Sequence, residues 1–216
     1  MTQDSILPLD IITIEQSDSD SILKTRAEAI SFPLTHENRL LITAMRNKLF
    51  QLGGVGLAAP QVKQNKQIIA IYISEDAAKL RVHASAYPMH IMINPSYEPV
   101  AETVIISDFE GCYSVASKSG KVPRHQAINL TYQDEDGQLY LKTVSGFYAR
   151  VLQHEIDHLN GILITDRLTP DCVQGSTEAM MALRYRELSA AQKLLFDQLA
   201  AKKRATREDA TTDSQA

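Results

Sequence analysis

Two histidines lie four residues apart in the stretch QHEIDHLNG, residues 153–161, and a glutamate directly follows the first of them. A helix advances about 100° per residue, so side chains four positions apart project from nearly the same face. A helix here would place His154 and His158 side by side, close enough to bind one ion, with Glu155 turned one step away. That position suits a general base acting on water that the ion activates. Because the spacing also arises by chance, the motif alone leaves a metal site and an ordinary helix equally open.

The composition of the chain excludes several other classes of protein. Of its 216 residues, 44% are hydrophobic and 22% charged, which suits one soluble domain with some appended sequence. No apolar run approaches the ~20 residues of a membrane span. The N-terminal segment is acidic and lacks the basic region of a secretory signal or transit peptide. With a net charge of −4, which argues against a DNA-binding surface, we predict a cytoplasmic protein without membrane or DNA partners.

A catalytic metal ion usually takes three protein ligands, so a third ligand has to come from elsewhere in the chain. The chain has two cysteines, Cys112 in DFEGCYSV and Cys172 in TPDCVQG. A disulfide framework is not expected in the cytoplasm, which leaves at least one of them free. Cys112 follows a glycine at the end of a β-rich run and is the stronger candidate, although free cysteines more often serve as small buried hydrophobes. We expect Cys172 to be structural.

Hydrophobic periodicity predicts an α+β fold with antiparallel-rich sheets around one buried helix. A helix with Thr35 as its N-cap is expected to end at Gly53-Gly54. The HExxH helix is expected at 145–159, with Asn160-Gly161 as left-handed residues at its end. A last helix is expected from 176 to 203. Strands are predicted at 67–73, 90–95, 100–107, 127–133 and 138–144.

The stretch GGVGLAAPQ, residues 53–61, contains small residues that let the backbone approach another group closely. No Lys-Ser/Thr pair follows it, so it is not a phosphate-binding loop. Gln61 at its end offers an amide that would stabilise a developing oxyanion. Taken alone, however, a helix-terminating turn with an ordinary glutamine is the simpler interpretation.

Three stretches, in this order, resemble the signature motifs of the peptide deformylase family. They are GVGLAAPQ (54–61), EGCYS (110–114) and QHEIDHLNG (153–161), beside family patterns GxGLAAxQ, EGCLS and QHExDHLxG. The match covers the central ~110 residues, and its joint specificity far exceeds that of any single motif. The family has leucine where Tyr113 stands and usually proline where Ala116 stands, so the rim of the pocket is expected to differ.

The resemblance implies one divalent metal ion held by Cys112, His154 and His158, with a position left for water. In the family the ion is typically Fe²⁺, and Zn²⁺, Ni²⁺ or Co²⁺ is able to replace it. The implied reaction removes the N-formyl group from the N-terminal formyl-methionine of newly synthesised polypeptides and releases formate. Glu155 would take the proton from water and deliver it to the leaving amine.

The resemblance also assigns roles around the substrate. The Gln61 side chain and the backbone N–H of Tyr113 would stabilise the oxyanion. The backbone at Gly54, Val55 and Gly56 would pair with the nascent peptide as an added strand.

A pocket for the methionine side chain is predicted at Phe147 and Val151, which share the helical face of the ligands, although core packing explains both equally well. Glu110 and Arg124 match family positions and are expected to form a charge pair that orients the cysteine loop. Residues 74–90 have the character of an insert.

Arg150 and Asp157, on the same helix as the histidines, would play a similar orienting part, although a solvated helix face is the simpler interpretation.

Three segments are expected along the chain: a catalytic domain at 1–175, a C-terminal helix at 176–204 and a disordered tail at 205–216. The helix carries a basic cluster near its end, Lys202, Lys203, Arg204 and Arg207. Such a cluster would support weak contact with ribosomal RNA, although a solvated helix end is the simpler interpretation.

Two alternative functions remain open. An HExxH metalloprotease shares the motif, but no third His or Glu follows at the spacing of that class. A deformylase-like paralogue without turnover is the other alternative. The presence of Gln61, Cys112, Glu155 and both histidines argues against it.

Overall fold

The computed structural model of the chain describes residues 8–16, 20–81 and 84–213. Its helices are α1 (Asp20–Leu23), α2 (His36–Leu52), α3 (Glu75–Lys79), α4 (Gly146–Leu159), α5 (Ile164–Arg167), α6 (Thr177–Glu187) and α7 (Ala190–Asp213). Its strands are β1 (Gly56–Ala58), β2 (Ile68–Ile73), β3 (Tyr87–Pro99), β4 (Ile105–Cys112), β5 (Val115–His125), β6 (Ala127–Gln133), β7 (Leu139–Ser145) and β8 (Gln174–Ser176). A 3₁₀ turn, Ala59–Val62, follows β1.

The strands form two antiparallel sheets. One has five strands in the order β1-β2-β3-β6-β7, and the other has three in the order β4-β5-β8. In β2, successive side chains point to opposite faces of the sheet, and both faces are covered. Ile69 and Ile71 pack in the cluster that contains α4, whereas Ile68 and Ala70 pack in the cluster that contains α2. The predicted α+β architecture is confirmed.

Helix α4 carries the HExxH motif through the interior of the molecule. Leu152 and Ile156 are buried against the five-stranded sheet, and the polar side chains of the helix are buried as well, except for the partly buried His154. This arrangement confirms the predicted central buried helix. The left-handed residue at its end is Gly161, at φ 71°, whereas Asn160 has φ −97°, so only one of the two predicted left-handed residues adopts that conformation.

Several predicted boundaries agree with the structure and one strand does not. Thr35 caps α2 by accepting a hydrogen bond from the Asn38 N–H, and Gly53 ends the helix. The hairpin between β6 and β7 is present. The prediction of a strand at 100–107 is wrong in its first half, because Glu102 takes a positive φ of 59° in a turn and β4 begins at Ile105.

The single helix predicted at 176–203 is two helices, α6 and α7, and α7 continues to Asp213 into the segment predicted to be disordered. The break has a local cause. The Ser189 hydroxyl accepts from the Gln192 N–H at 3.3 Å, and the Gln192 side chain accepts from the Ser189 N–H at 3.1 Å. This reciprocal pair is a capping box, which starts a new helix. Residues 214–216 lie outside the described residues.

Among the described residues, no helix combines the length and the apolar character needed to cross a bilayer.

Candidate metal centre and substrate cleft

The end of β4 and one face of α4 bring three ligating side chains together. Ligand atoms of Cys112, His154 and His158 all lie within 4.8 Å of one another. The Cys112 Sγ is 3.2 Å from Nε2 of His158, and the two imidazole centroids are 5.1 Å apart, as the i, i+4 spacing predicts. One thiolate and two imidazoles suit a divalent transition metal and leave a coordination position open.

Neighbouring groups orient two of these ligands. Nδ1 of His154 lies 2.9 Å from a carboxylate oxygen of Glu110, which leaves Nε2 of that ring for a metal ion. The Ser114 N–H points at the Cys112 sulfur, 3.4 Å away. Within the described part of the chain, Nδ1 of His158 is buried without a hydrogen-bond partner. The ring orientations therefore fit a bound ion.

A network of buried charges lies behind the ligands. Nε and Nη2 of Arg124 donate to the two carboxylate oxygens of Glu110, at 3.0 and 2.9 Å. Arg150 also donates to Glu110, at 2.7 Å, and Arg124 contacts Asp157 on its other side. Asp157 accepts two further hydrogen bonds, from Arg167, at 3.0 and 2.6 Å. The predicted pair of Glu110 and Arg124 is confirmed. The prediction of a solvated face for Arg150 and Asp157 is wrong, because both are buried.

Glu110 remains ionised within this network. Burial raises the pKa of its carboxyl group, but the hydrogen bond with His154 and the charge of Arg124 outweigh burial and hold the pKa far below its usual range. A permanent carboxylate at this place fixes the ring of His154.

Glu155 has the opposite environment. Its side chain is buried, and in the described part of the chain its Oε2 atom has no hydrogen-bond partner. Burial raises its pKa to about 7. The carboxyl group lies against Gly56, where any Cβ would overlap Oε1. A carboxyl group with a pKa near neutrality, beside the ligands, is suited to accept and return a proton.

The amide of Gln61 is held with its nitrogen toward the ligands. Its Oε1 accepts from the Ala58 N–H at 2.8 Å across the 3₁₀ turn, and its Nε2 lies 3.6 Å from the Cys112 sulfur. The side chain is buried. The amide therefore presents a fixed donor to the site.

Tyr113 forms part of the rim of the cleft. Its ring covers Gly54, where a Cβ would overlap the phenol, and its hydroxyl donates to the Leu52 carbonyl at 3.2 Å. The glycine thus makes room for an aromatic side chain where the family pattern has leucine.

Most residues of the predicted site line one cavity of about 450 Å³. Ten predicted residues line it: Gly54, Val55, Gly56, Gln61, Cys112, Tyr113, Phe147, Val151, His154 and Glu155. His158 lies outside the lining, buried beside the cysteine. Cys172 is a free thiol that packs on the same hydrophobic cluster as Cys112 but does not belong to the group of ligating side chains.

Part of the cavity wall was not predicted. Ala77, Leu80 and Arg81 come from the segment interpreted as an insert, and Thr177 and Arg184 come from α6. No motif marks these residues, since each stands in a segment whose sequence indicates only a helix or a loop.

Comparisons with known proteins agree with this geometry. The family model described as polypeptide deformylase matches residues 10–174. Peptide deformylase 2 of Rickettsia conorii is 36% identical over 174 residues, which cover 79% of this chain and 85% of the relative. Peptide deformylase of Synechocystis sp. is 36% identical over 149 residues, covering 69% and 75%.

Solved structures give the same result. The Met-Ala-Ser-bound class I type b peptide deformylase from Acinetobacter baumannii superposes with a TM-score of 0.65 at 30% identity, covering 76% of this chain and 99% of that one. A probable peptide deformylase from Synechococcus phage S-SSM7 gives a TM-score of 0.61 at 36% identity, covering 74% and 100%. The chain belongs to the polypeptide deformylase family of metal-dependent hydrolases.

Proposed function

We propose how this chain performs the reaction of its family, which removes the N-formyl group from the N-terminal methionine of new polypeptides and releases formate. The observation that carries the proposal is the buried carboxyl group of Glu155, which has an oxygen without a partner in the described part of the chain and lies beside three ligating side chains. A general base needs this combination of position and raised pKa.

Cys112, His154 and His158 would hold one divalent ion, with Fe²⁺ as the resident metal and Zn²⁺, Ni²⁺ or Co²⁺ as substitutes. A thiolate donor favours these transition metals over Mg²⁺ and Ca²⁺. When bound, the ion polarises the formyl carbonyl and makes water more acidic.

The proton is moved by the protein. Glu155 takes it from the attacking water and returns it to the amine that leaves as the C–N bond breaks. The developing negative charge on the formyl oxygen would receive hydrogen bonds from Nε2 of Gln61 and from the Tyr113 backbone N–H. Because the Ala58 N–H already holds the other end of the Gln61 amide, that donor needs no reorientation during the reaction.

The substrate would bind as an added strand. Strand β1 is an edge strand of the five-stranded sheet, and Gly56 at its start lines the cavity together with the preceding Gly54 and Val55. The methionine side chain would enter between Phe147 and Val151. Backbone pairing gives affinity with little dependence on later residues.

The decisive assay is formate release from formyl-Met-Ala-Ser by protein purified without oxygen. Stoichiometric formate and free Met-Ala-Ser support the proposal. Cleavage of unformylated peptides would favour a metalloprotease, and metal binding without formate release would favour a paralogue without turnover.

Other features of the chain also belong to this proposal. We place the enzyme in the cytoplasm, where new polypeptides emerge, with a catalytic domain at 1–175 followed by a helical extension. The basic cluster of that extension would give weak contact with the ribosome. The side chains of this cluster lie outside the described part of the structure.

A further inference from the structure

A second cavity, of about 380 Å³, adjoins the catalytic cleft. The two cavities share six wall residues: Leu80, Arg81, Phe109, Phe147, Arg150 and Arg184. Their boundary therefore contains three guanidinium groups next to Phe147, which lines the predicted methionine pocket. Within the part of the chain that the structure describes, one of the three has a carboxylate partner.

Arg150 is the guanidinium whose donors are engaged, by Glu110 and by the carbonyl of Val122, each at 2.7 Å. Arg81 and Arg184 differ from it. Among the described residues, neither forms an ion pair within the 4.0 Å that defines one, and Nε of Arg184 is buried without an acceptor. Partly buried cations without partners are unfavourable, so their presence at a cavity wall suggests that a ligand completes them.

Arg81 is held in place by aromatic and backbone contacts. Its guanidinium lies over the ring of Phe147, 4.9 Å from the centroid, and 3.5 Å from the Phe109 carbonyl oxygen. The preceding helix α3 is tied to α7 by a hydrogen bond from the Gln192 side chain to the Lys79 carbonyl, at 3.3 Å. These contacts direct the cation toward the cleft.

Arg184 is held by its helix. At the start of α6, the Thr177 hydroxyl donates to the Ala116 carbonyl at 2.8 Å. At its end, Glu187 pairs with Lys121 at 2.8 Å. Helix α6 is thus fixed on the three-stranded sheet at both ends, and Arg184 between them lines both cavities.

Two of the three carboxylates near the two arginines are already paired with other cations. Glu110 is bound by two arginines, and Glu187 is paired with Lys121. Asp108 accepts from the Phe109 N–H at 2.7 Å and acts on Arg81 and Arg184 only through its charge. The shared wall therefore keeps an excess of positive charge.

Granted the proposed function, we propose that Arg81 and Arg184 form an anion-binding subsite that selects an acidic side chain on a residue following the formylated methionine. A carboxylate is the planar anion that two guanidinium groups bind with charge-assisted hydrogen bonds. Burial and the nearby charge of Arg184 lower the pKa of Arg81 to about 10, so it stays charged at neutral pH. Arg184 lies beyond the segment that the family model matches.

The test compares peptides of equal shape. The substrates are formyl-Met-Glu-Ser and formyl-Met-Gln-Ser, together with formyl-Met-Ala-Glu and formyl-Met-Ala-Gln, all with amidated C-termini so that the side chain is the one carboxylate present. In one of the two pairs, kcat/KM of the wild-type enzyme should be ~10-fold higher for the glutamate peptide, as expected for charge-assisted hydrogen bonds. Calorimetry with the deformylated amide products should give the same preference without turnover.

Two variants and two matched controls locate the effect. Arg81→Gln and Arg184→Gln should remove most of the preference, measured within each variant as the ratio of kcat/KM for the glutamate and glutamine peptides. Lys79→Gln and Arg186→Gln, which remove exposed cations from the same segments, should keep it.

Equal kcat/KM for the glutamate and glutamine members of both pairs, or a preference that persists in both arginine variants, would overturn the subsite. Inorganic phosphate could instead inhibit hydrolysis of the glutamine peptides by the wild-type enzyme but not by Arg81→Gln. If that result came without any preference between glutamate and glutamine peptides, the arginines would bind a free anion, and the subsite would also be overturned. Because the glutamine peptides report deformylation independently, failure of the proposed function appears separately, as absence of formate from every peptide.

Discussion

The arginines around the catalytic cleft form two groups with opposite environments, a paired side with Arg124 and Arg150 and an unpaired side with Arg81 and Arg184. Behind the ligands, Arg124 and Arg150 are buried and bound to carboxylates that in turn orient His154. In the wall that the two cavities share, Arg81 and Arg184 have no ion-pair partner among the described residues. A buried cation is tolerated when it is paired and hydrogen-bonded. The paired side therefore serves the geometry of the metal ligands, and the unpaired side is suited to receive charge from a ligand.

The largest effect is expected on the paired side, at the metal. Elemental analysis should find about one transition metal ion per chain in the wild-type protein. Cys112→Ala removes one of the three ligands, so this variant should lose the metal. His154→Ala and His158→Ala should behave alike. Cys172→Ala is the matched control, because that thiol packs on the same hydrophobic cluster as Cys112 without belonging to the ligand group, and it should keep the metal. Full occupancy in Cys112→Ala would rule out the three-ligand site.

The second-largest effect is expected from removing the carboxyl group of Glu155, which lies beside the metal ligands and forms no ion pair among the described residues. Glu155→Ala should keep its metal and lose ~10²–10⁴-fold in kcat, as expected when a general base is removed. Steady-state rates on formyl-Met-Ala-Ser, normalised to metal content, measure this. A rate near that of the wild type would mean that another residue moves the proton.

The third effect concerns stability. Arg124→Met leaves Glu110 and Asp157 buried without the cation between them, so the free energy of unfolding should fall by ~3–5 kcal/mol. Lys24→Met is the control, since it breaks a 2.6 Å ion pair with Asp166 whose side chains are 38% and 44% exposed. Such a pair contributes ~0–1 kcal/mol. Similar losses in denaturant titrations of both variants would contradict a structural role for the network.

A smaller change is expected on the unpaired side. Arg184→Met removes a cation that contributes no ion pair among the described residues. The free energy of unfolding should therefore change by no more than ~0.5 kcal/mol. A slight increase in the free energy of unfolding is consistent with the same reasoning. The same denaturant titration measures it. A loss comparable to that of Arg124→Met would show that Arg184 holds the fold together and would remove the contrast between the two sides.

The sequence predicted the paired side far better than the unpaired side. Helical spacing alone relates His154 to His158, and a motif at a strand end points to Cys112, so local rules place these residues. The burial of Asp157 could not be read from its helix, because it depends on two arginines from distant segments. Arg81 lies in the cavity wall only because tertiary packing brings its segment there, so its position could not be predicted from a local pattern either.

The C-terminal helices illustrate a local signal that was present and overlooked. Ser189 and Gln192 form a capping box, and their three-residue spacing marks the start of α7 in the sequence itself. Helical periodicity continued across Leu188, which favoured one long helix. Tertiary contacts then hold α6 on the sheet through Thr177, which no sequence pattern indicates.

The smallest effect on catalysis is expected from removing the chain after Ala200. The contacts that fix the start of α7 all precede this residue: Tyr185 donates to Asp197 at 2.9 Å and its ring meets Phe196, with centroids 5.5 Å apart. Arg184 and the rest of the described cavity wall also precede it. Hydrolysis of short formyl peptides should therefore be unchanged, including the preference for acidic residues.

The same truncation tests the ribosome contact, because it removes the basic cluster at 202–207. Clustered cations bind RNA phosphates by releasing counterions, so co-sedimentation of the full chain with ribosomes should be measurable at low salt and fall steeply as salt is added. The net charge of −4 opposes binding by the rest of the chain, so the truncated protein should stay in the supernatant. Substituting glutamine for Lys202, Lys203, Arg204 and Arg207 in the full chain should have the same result, which separates charge from helix length. If the full and truncated chains pellet equally with ribosomes, or if neither pellets at low salt, the basic cluster makes no ribosome contact. The contribution of the C-terminal region to the reaction would then be limited to α6 in the wall of the cleft.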